Sequence, residues 1–302
     1  MLTSQRRLRP FLKWAGGKGQ LIEKLARYFP ACIKKGKIRK YFEPFLGGGA
    51  LFFWLAEHGC FEKAYLYEVN PALANCYQVI KKDVKRLIKE LEGLEQEYVS
   101  KSEAGGEKLF YEKRDEFNAF LRKKASSGFI RRAALLIFLN KTCFNGLYRV
   151  NSSGEFNVPF GRYKNPTICN EVNLLGIHEI LQKAQIICGD FALCVKEADD
   201  ESFVYFDPPY RPLSSTASFT SYAKGAFDDR EQKRLRKIYG LLDKKGASVM
   251  LSNSDPKNVC PDDNFFDDLY QDYRIVRVKA TRLINCNANR RGEIKEILVM
   301  NY

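Results

Sequence analysis

One short segment of this chain carries a carboxylate, two prolines and an aromatic ring in direct succession. The apolar run 202–206 is typical of a buried strand, and Asp207-Pro208-Pro209-Tyr210 follows it without a break. Proline fixes φ and has no N–H, so this turn would be stiff and its carbonyl oxygens open to donors. Asp207 and the Pro208 carbonyl could form a rigid pair of hydrogen-bond acceptors beside the Tyr210 ring. Such a pair suits a planar substrate with an NH2 group, whereas an ordinary turn at a strand end is the plainer interpretation.

A glycine cluster near the beginning of the chain follows a second strand-like segment. Residues 39–43 favour a strand, and the glycines at 47–49 favour a tight turn before a helix. Phe52 stands where a dinucleotide-binding motif has its third glycine, which argues against a pyrophosphate site. Glu68 ends the next strand 21 residues after Gly47, a separation at which an acidic residue commonly binds a ribose. S-adenosylmethionine, a nucleoside cofactor without a pyrophosphate, fits this pattern; a structural turn with a solvated glutamate is the alternative.

Residues 11–18 (FLKWAGGK) have some features of a phosphate-binding loop. Leu12 stands where such a loop has its first glycine, and Gly19 rather than Ser or Thr follows Lys18, so a P-loop is not indicated. Trp14 could still pack on a ligand, and Lys18 could pair with a carboxylate. An incidental lysine at a helix start is the alternative.

Residues 145–151 and 154–163 favour a β-hairpin with its turn at 151–154. The predicted arms carry Arg, Asn and Tyr side chains. In the major groove of DNA, Arg recognises guanine and Asn recognises adenine. The segment therefore suits base recognition, while a solvated hairpin in an inserted segment is the alternative.

The composition points to a polyanionic partner. The chain has 302 residues, with 50 Lys and Arg against 36 Asp and Glu, a formal net charge of +14, and its basic excess is concentrated in residues 1–40 and 122–164. Nucleic acid is the first candidate for such an uneven basic surface. The nine cysteines form no Cys-x-x-Cys pair, and the only histidines, His58 and His178, are far apart, so no metal site is expected. Without an apolar span or signal peptide, we expect a cytoplasmic protein with no membrane partner.

The elements that must position these residues indicate an α/β protein with an insertion. A helix is expected over 17–29, before Pro30. The strand over 39–43, the glycine turn, the helix from Ala50 to His58 and the strand over 63–68 form a βαβ pattern, which implies a parallel sheet. Charged helical segments over 83–99, 107–125 and 129–142 dominate the chain from about residue 82 to 183, after which strand signals return. The predicted organisation is a catalytic and cofactor-binding domain over 1–81 and 184–302, interrupted by a mainly helical domain over 82–183. The last two strands, over 273–279 and 295–301, are expected to form an antiparallel edge.

Taken in order, these motifs resemble those of the Dam-type, class D12 DNA adenine-N6 methyltransferases that act on GATC. The matching segments span nearly the whole chain: 11–18, 42–49, 145–149, 154–163, 205–210 and 251–254. The resemblance implies a Rossmann-like S-adenosylmethionine-dependent methyltransferase sheet with an inserted target-recognition domain that carries the hairpin. It also implies a site-specific, adenine-specific DNA methyltransferase that transfers a methyl group to adenine N6 in duplex DNA, with the target adenine flipped out.

The same resemblance suggests roles for individual residues. Catalysis falls to Asp207, Pro208 and Tyr210. The expected cofactor contacts are Trp14, Lys18, Gly47, Gly49, Glu68 and Asp207, although the family more often has Asp where Glu68 stands. The expected DNA contacts are Lys13, Asn145, Leu147, Arg149 and Tyr163, with Arg149 as the guanine reader.

Other interpretations remain open at this point. Some RNA methyltransferases also use Asp-Pro-Pro-Tyr, and a DNA-binding regulator could have kept the fold without catalysis. A cytosine-C5 enzyme is disfavoured because that chemistry uses a Cys after Pro, whereas Cys260 precedes Pro261 here. A prokaryotic or phage-type enzyme bound to the nucleoid through DNA is expected. It could protect DNA from a cognate restriction endonuclease, without a stable complex, or it could act alone.

Overall fold

The computed structural model describes residues 7–14, 16–19, 21–34, 36, 38–123, 127–211, 227–281 and 293–302. Ala15 of the 11–18 motif and Gln20 of the helix predicted over 17–29 lie outside the described residues. The chain forms two compact units. The first comprises Met1–Gly19, Leu46–His58 and Glu68–Gly189, and the second comprises Gln20–Phe45, Gly59–Tyr67 and Asp190–Tyr302.

Seven strands form one mixed sheet. In chain order they are β1 Lys40–Glu43, β2 Lys63–Glu68, β3 Ala184–Cys188, β4 Ser202–Phe206, β5 Ser248–Ser254, β6 Arg274–Thr281 and β7 Glu293–Met300. Their order across the sheet is β3-β2-β1-β4-β5-β7-β6. Strand β1 pairs in parallel with β2 and β4, and β4 pairs in parallel with β5. Strand β7 is antiparallel to both β5 and β6, which confirms the predicted antiparallel edge.

The centre of the sheet explains why the strand before the tetrapeptide is apolar throughout. All five residues of β4 are buried, as expected for a parallel strand that is covered on both faces. The chain continues from β1 and from β4 toward opposite edges, so the strand order reverses between them. Ligands of open α/β sheets bind beyond the carboxyl ends of the strands at such a reversal. Glu43 ends β1 and Asp207 follows β4, so both carboxylates lie at this position.

The helices alternate with the strands and dominate the middle of the chain. They are α1 Ile22–Leu25, α2 Ala31–Lys34, α3 Ala50–Glu57, α4 Pro71–Val99, α5 Glu103–Lys123, α6 Phe129–Thr142, α7 Glu171–Leu181, α8 Cys194–Glu197, α9 Asp229–Lys244 and α10 Phe265–Leu269. Short 3-10 turns lie at 26–28, 144–146, 191–193 and 256–258. Among the residues that the structure describes, no helix has both the length and the apolar character needed to cross a membrane.

In the first unit, the long helix α4 starts at a well-defined cap and bends once. Pro71 occupies its first turn, and the Asn70 side chain accepts hydrogen bonds from the N–H groups of Ala72 and Leu73. The helical dihedrals break at Asp83, with φ −136° and ψ 39°, close to the predicted domain boundary at 81/82. Because the helix resumes after this residue, α4 continues through that boundary.

The predicted hairpin is present only as two isolated bridges, Val150↔Phe156 and Cys143↔Phe160. Its turn forms as expected, since the Gly154 N–H donates to the Asn151 carbonyl at 2.9 Å. Alternate residues of the second arm, Phe156, Val158 and Phe160, are buried. Their backbone bonds go partly to helix side chains: Asn118 of α5 accepts from the Phe156 N–H and donates to its carbonyl. Packing on α5 thus replaces part of the strand pairing.

Candidate active site

A buried carboxylate lies against the glycine turn of the first unit. Glu68 is 7% exposed, and its two oxygens accept hydrogen bonds from the Gly47 N–H at 3.1 Å and the Asn70 N–H at 2.8 Å. Burial raises the pKa of the Glu68 carboxyl, and the N–H groups of Asn70 and Gly47 offset part of that rise. A buried carboxylate favours additional hydrogen-bond donors, and the two hydroxyls of a ribose are such donors.

The turn itself leaves no room for side chains. Gly47 and Gly49 have φ values of 48° and 68°, a region that favours glycine. A Cβ on Gly47 would lie 2.9 Å from the Trp14 ring, and one on Gly49 would lie 2.8 Å from the Tyr77 hydroxyl. That hydroxyl donates to the Gly47 carbonyl at 2.9 Å. We call Trp14, Gly47, Gly49, Glu68 and Tyr77 the glycine cradle, because together they surround one backbone turn.

Two further features of the first unit bear on the cradle. The Trp14 ring stacks on Tyr148, with 5.4 Å between ring centroids and 30° between planes. Lys18 is 5% exposed, and a lysine this deeply buried normally has a polar or charged partner. The structure therefore brings Trp14, Gly47, Gly49 and Glu68 together and places Lys18 in the interior of the same unit.

In the second unit, side chains from neighbouring strands hold the carboxylate that follows β4. The Ser252 hydroxyl of β5 donates to Asp207 Oδ1 at 3.1 Å, and Ser252 Oγ lies 2.8 Å from the Tyr205 hydroxyl. Burial, and then the nearby charge of Asp207, raise the pKa of Tyr205 well above its usual value, so this hydroxyl stays protonated. The orientation of Asp207 is thus set by a hydroxyl network that leads into the sheet.

The carbonyl groups after Asp207 differ in whether they are bonded. The buried Gln232 side chain donates to the Pro209 carbonyl at 3.4 Å, and the Ser254 hydroxyl donates to the Arg211 carbonyl at 3.2 Å. Among the residues that the structure describes, none donates to the Pro208 carbonyl. Of these three carbonyls, the one next to Asp207 therefore remains open as an acceptor.

Tyr210 is anchored through its hydroxyl. It donates to Glu296 Oε2 at 2.6 Å, and Glu296 of β7 is 7% exposed. The hydroxyl end of Tyr210 is therefore held from the strand side. Sequence reasoning assigned no role to Glu296, because the strand 293–300 also carries Glu293 and Lys295 and its charge alone does not single it out.

Lys13 and Tyr163, two of the predicted DNA contacts, come together in the first unit. The buried Asn140 side chain of α6 accepts from the Lys13 N–H at 2.8 Å and donates to the Lys13 and Gly146 carbonyls at 2.9 and 2.7 Å. The Lys13 ammonium lies 5.1 Å from the centroid of the Tyr163 ring. Asn140 thus joins the 11–18 motif to the segment after α6, a role that sequence reasoning missed.

The remaining predicted DNA contacts lie on the same loop but differ in exposure and in their hydrogen bonds to other residues. Asn145 has φ 56°, and Leu147 is 39% exposed. Arg149 is already engaged: its Nε donates to Asn157 Oδ1 at 2.8 Å and its Nη2 to the Asn157 carbonyl at 3.2 Å. Asn157 therefore orients the Arg149 guanidinium across the two arms of the hairpin.

This chain is similar to known proteins over nearly its whole length. The model of the D12 class N6 adenine-specific DNA methyltransferases matches residues 14–284. The chain is 49% identical to the Type II methyltransferase M.MjaIII of Methanocaldococcus jannaschii over 296 residues, 98% of this chain and 99% of that protein. It is 41% identical to the Type II methyltransferase M1.LlaDCHI of Lactococcus lactis over 297 residues, 98% and 96%. It is 35% identical to the DNA adenine methylase of Escherichia coli K12 over 292 residues, 97% and 95%.

The mixed α/β fold and these matches define a DNA methyltransferase. The chain belongs to the D12 class N6 adenine-specific DNA methyltransferase family. This result confirms the predicted family, fold class and enzyme class. The family implies S-adenosylmethionine as the methyl donor and double-stranded DNA as the substrate. The cradle fits the donor, because its buried Glu68 carboxylate suits the hydroxyl groups of a ribose.

Proposed function

We propose that this enzyme transfers a methyl group from S-adenosylmethionine to adenine N6 within GATC in duplex DNA. The observation that supports the chemistry most strongly is the pair of acceptors after β4. Asp207 is held by Ser252, and the adjacent Pro208 carbonyl has no donor among the described residues. Two fixed acceptors side by side are what an exocyclic NH2 group requires.

The proposed mechanism follows from the electronic structure of adenine. The N6 lone pair is delocalised into the ring, so the amino group is a poor nucleophile. Asp207 and the Pro208 carbonyl would accept its two N–H bonds and favour a more tetrahedral nitrogen. When bound, S-adenosylmethionine supplies an electrophilic methyl group on its sulfonium. Asp207 and Pro208 hold the nitrogen in the orientation for in-line attack, and such positioning supplies much of the rate of group-transfer enzymes.

The adenine must leave the duplex to reach these acceptors. Flipping a base costs a few kcal/mol of stacking and pairing, which contacts inside the enzyme must offset. The Tyr210 ring, anchored by Glu296, is the proposed stacking surface. A base stacked on this ring would place its amino group toward Asp207.

The cofactor and DNA contacts are proposed on the same basis. Trp14, Lys18, Gly47, Gly49, Glu68 and Asp207 would hold the cofactor. Lys13, Asn145, Leu147, Arg149 and Tyr163 would contact DNA, and all of them except Lys13 lie in the proposed recognition domain over 82–183. Arg149 would read a guanine, which Asn157 supports by orienting the guanidinium. We also propose a cytoplasmic, prokaryotic or phage-type setting, in which a cognate restriction endonuclease acts on the same sequence without a stable complex.

The function is tested with plasmid DNA, the purified enzyme and S-adenosylmethionine. Two endonucleases are then applied, one that cuts GATC only when it is unmethylated and one that cuts it only when it is methylated. We expect the wild-type enzyme to protect against the first and sensitise to the second. Asp207→Ala should do neither, while it still shifts a duplex in a gel. Methylation of adenine outside GATC would overturn the proposed sequence, and methylation of structured RNA in preference to duplex DNA would overturn the proposed substrate.

A further inference from the structure

Arg211 follows the tetrapeptide directly, and its backbone is fixed on both sides. Its N–H donates to Asn253 Oδ1 at 3.2 Å, and its carbonyl accepts from the Ser254 hydroxyl at 3.2 Å. Both partners belong to the end of β5. Because Asp207 is bonded to Ser252 of the same strand, the tetrapeptide is attached to β5 before and after its two prolines.

The Arg211 side chain makes a second set of attachments. Its guanidinium binds the Asp229 carboxylate through Nε at 2.7 Å and Nη2 at 3.3 Å, and Asp263 through Nη1 at 2.6 Å. It also lies over the Phe265 ring, 4.3 Å from the centroid. A planar fork that binds a carboxylate through two nitrogens fixes direction as well as distance. The Arg211 side chain is 20% exposed, whereas those of Asp263 and Asp229 are 28% and 50% exposed, so the pair with Asp263 is the better shielded from solvent.

Both carboxylates lie at the beginnings of helices, which hold their backbone in place. Asp229 is in the first turn of α9, where the preceding Asp228 caps the helix by accepting from two backbone N–H groups. Asp263 accepts from the Phe265 N–H at 3.1 Å at the start of α10. Burial opposes ionisation of Asp263, but hydrogen bonds from Arg211 and Phe265 outweigh it and lower its pKa. The hydrogen bond to Asp229 outweighs burial and raises the pKa of Arg211.

We propose that Arg211 is a positioning residue for methyl transfer, because it holds the end of the tetrapeptide so that Asp207 and the Pro208 carbonyl keep their mutual geometry. This inference rests on the proposed function of those two acceptors. Arg211 would not touch the substrate; it would act through the backbone of the tetrapeptide. Displacing a reacting group by about 1 Å can cost roughly 100-fold in rate, so release of this attachment should be visible in kcat.

Arg236 of α9 provides a matched control within the same unit. Its side chain is 22% exposed, it donates to Asp272 at 3.1 Å and to the Leu269 carbonyl at 3.0 Å, and it lies 4.7 Å from the centroid of Tyr273. Arg236 thus matches Arg211 in burial and ring contact, and it also pairs with a carboxylate, although with one rather than two. Within the described residues, none of these partners belongs to the tetrapeptide or to β5.

The test compares Arg211→Ala, Arg211→Lys and Arg236→Ala in the full-length enzyme, by steady-state methylation of a GATC duplex and by thermal melting. We expect Arg211→Ala to lower kcat roughly 10- to 100-fold while KM for DNA and for cofactor changes less than about threefold. Arg211→Lys should recover only part of the rate, because an ammonium cannot reproduce the two-nitrogen contact with Asp229. Arg236→Ala should lower the melting temperature by about as much as Arg211→Ala does, and it should keep kcat within about twofold of the wild-type value.

Several outcomes would overturn the inference. One is an unchanged kcat in Arg211→Ala, and another is an equal loss of kcat in Arg236→Ala, which would indicate a general effect of stability. If Arg211→Ala fails to fold, Asp229→Asn and Asp263→Asn each remove one of the two ion pairs of Arg211. A wild-type kcat in both variants would contradict the positioning role. Asp207→Ala separates the two proposals. If that variant is active, the proposed function fails; if it is inactive while Arg211→Ala is fully active, only the positioning role fails.

Discussion

The glycine cradle and the segment after β4 each present one carboxylate, but they hold it by different means. Glu68 receives backbone N–H groups from its own loop and from a turn 21 residues away. Asp207 and the residues that follow it are held by side chains from later in the chain, among them Ser252, Asn253 and Glu296, which lie 42 to 86 residues away from their partners. The cradle is therefore a backbone site whose shape depends on glycines. The segment after β4 is a side-chain site whose shape depends on tertiary packing.

The largest expected effect tests the side-chain site. Asp207→Asn keeps the shape but replaces one acceptor oxygen with an NH2 group, which would face the amino group of the substrate. We expect kcat to fall about 10²- to 10³-fold, comparable to the loss of one preorganised hydrogen-bonding group in other enzymes. Rapid-quench measurement of a single turnover on a GATC duplex provides the readout. Ser252→Ala is the companion variant, because it leaves the carboxylate and removes its anchor; a loss as large as that of Asp207→Asn would shift the chemical role away from Asp207.

The next effect tests whether the cradle depends on its backbone. Gly47→Ala places a Cβ 2.9 Å from Trp14 in a left-handed conformation. The conformational cost is about 1–2 kcal/mol, so we expect cofactor affinity to fall about 5- to 30-fold when the turn rearranges. Calorimetric titration with S-adenosylmethionine measures this affinity. Gly59→Ala is the control, since Gly59 has φ 63° and nothing within 4 Å of its Cβ. An equal loss of affinity in that variant would remove the special role of the Trp14 contact.

The same contrast explains what could be predicted from the sequence. Three elements were predicted with their observed bounds: the strands 63–68 and 202–206 and the helix 129–142. Each has a clear local pattern between turn or capping residues. The glycine turn and its Glu68 partner could be predicted for the same reason. The helix predicted over 17–29 was wrong in length, since the described residues of that range form only the helix Ile22–Leu25 and a 3-10 turn after it.

Long-range side-chain pairs could not be predicted in the same way. Neither the bond from Tyr210 to Glu296 nor the bond from Asn140 to Lys13 leaves any mark in local periodicity, because the partners are 86 and 127 residues apart. The long-range contacts of the hairpin could not be predicted either. Its alternating pattern is visible in the sequence, but the pattern does not reveal that Asn118 of α5 would take backbone bonds that a second strand could have made.

A smaller effect concerns the pH dependence of the cradle. Glu68 must be ionised to accept both ribose hydroxyls, and burial raises its pKa above the usual range. Cofactor affinity should therefore fall as the pH is lowered through that pKa. The stability of the cofactor-free protein should change in the opposite sense. Because the pKa of Glu68 is higher in the folded than in the unfolded protein, protonated Glu68 stabilises the fold at low pH, and this contribution is lost as the pH rises.

Glu68→Gln separates these two trends. We expect it to weaken cofactor binding about fivefold at neutral pH, because hydrogen bonds to a neutral acceptor are weaker than those to a carboxylate. Its affinity should then vary little with pH. Titration calorimetry at several pH values between about 5 and 8 gives both results. A wild-type affinity that stays flat over this range would contradict the role of ionised Glu68.

The smallest effect separates the ring of Tyr210 from its anchor. Tyr210→Phe keeps the stacking surface and removes the bond to Glu296, so we expect kcat to fall only about two- to threefold. Stability should fall more noticeably, by about 1–3 kcal/mol, because a buried carboxylate loses a donor. Glu296→Gln still accepts from the Tyr210 hydroxyl and should preserve kcat, whereas Glu296→Ala should resemble Tyr210→Phe in rate. If Tyr210→Phe lowered kcat as far as Asp207→Asn, the hydroxyl itself would take part in the reaction. The segment after β4 would then contain a third polar group that acts on the substrate, and the cradle would remain the simpler of the two sites.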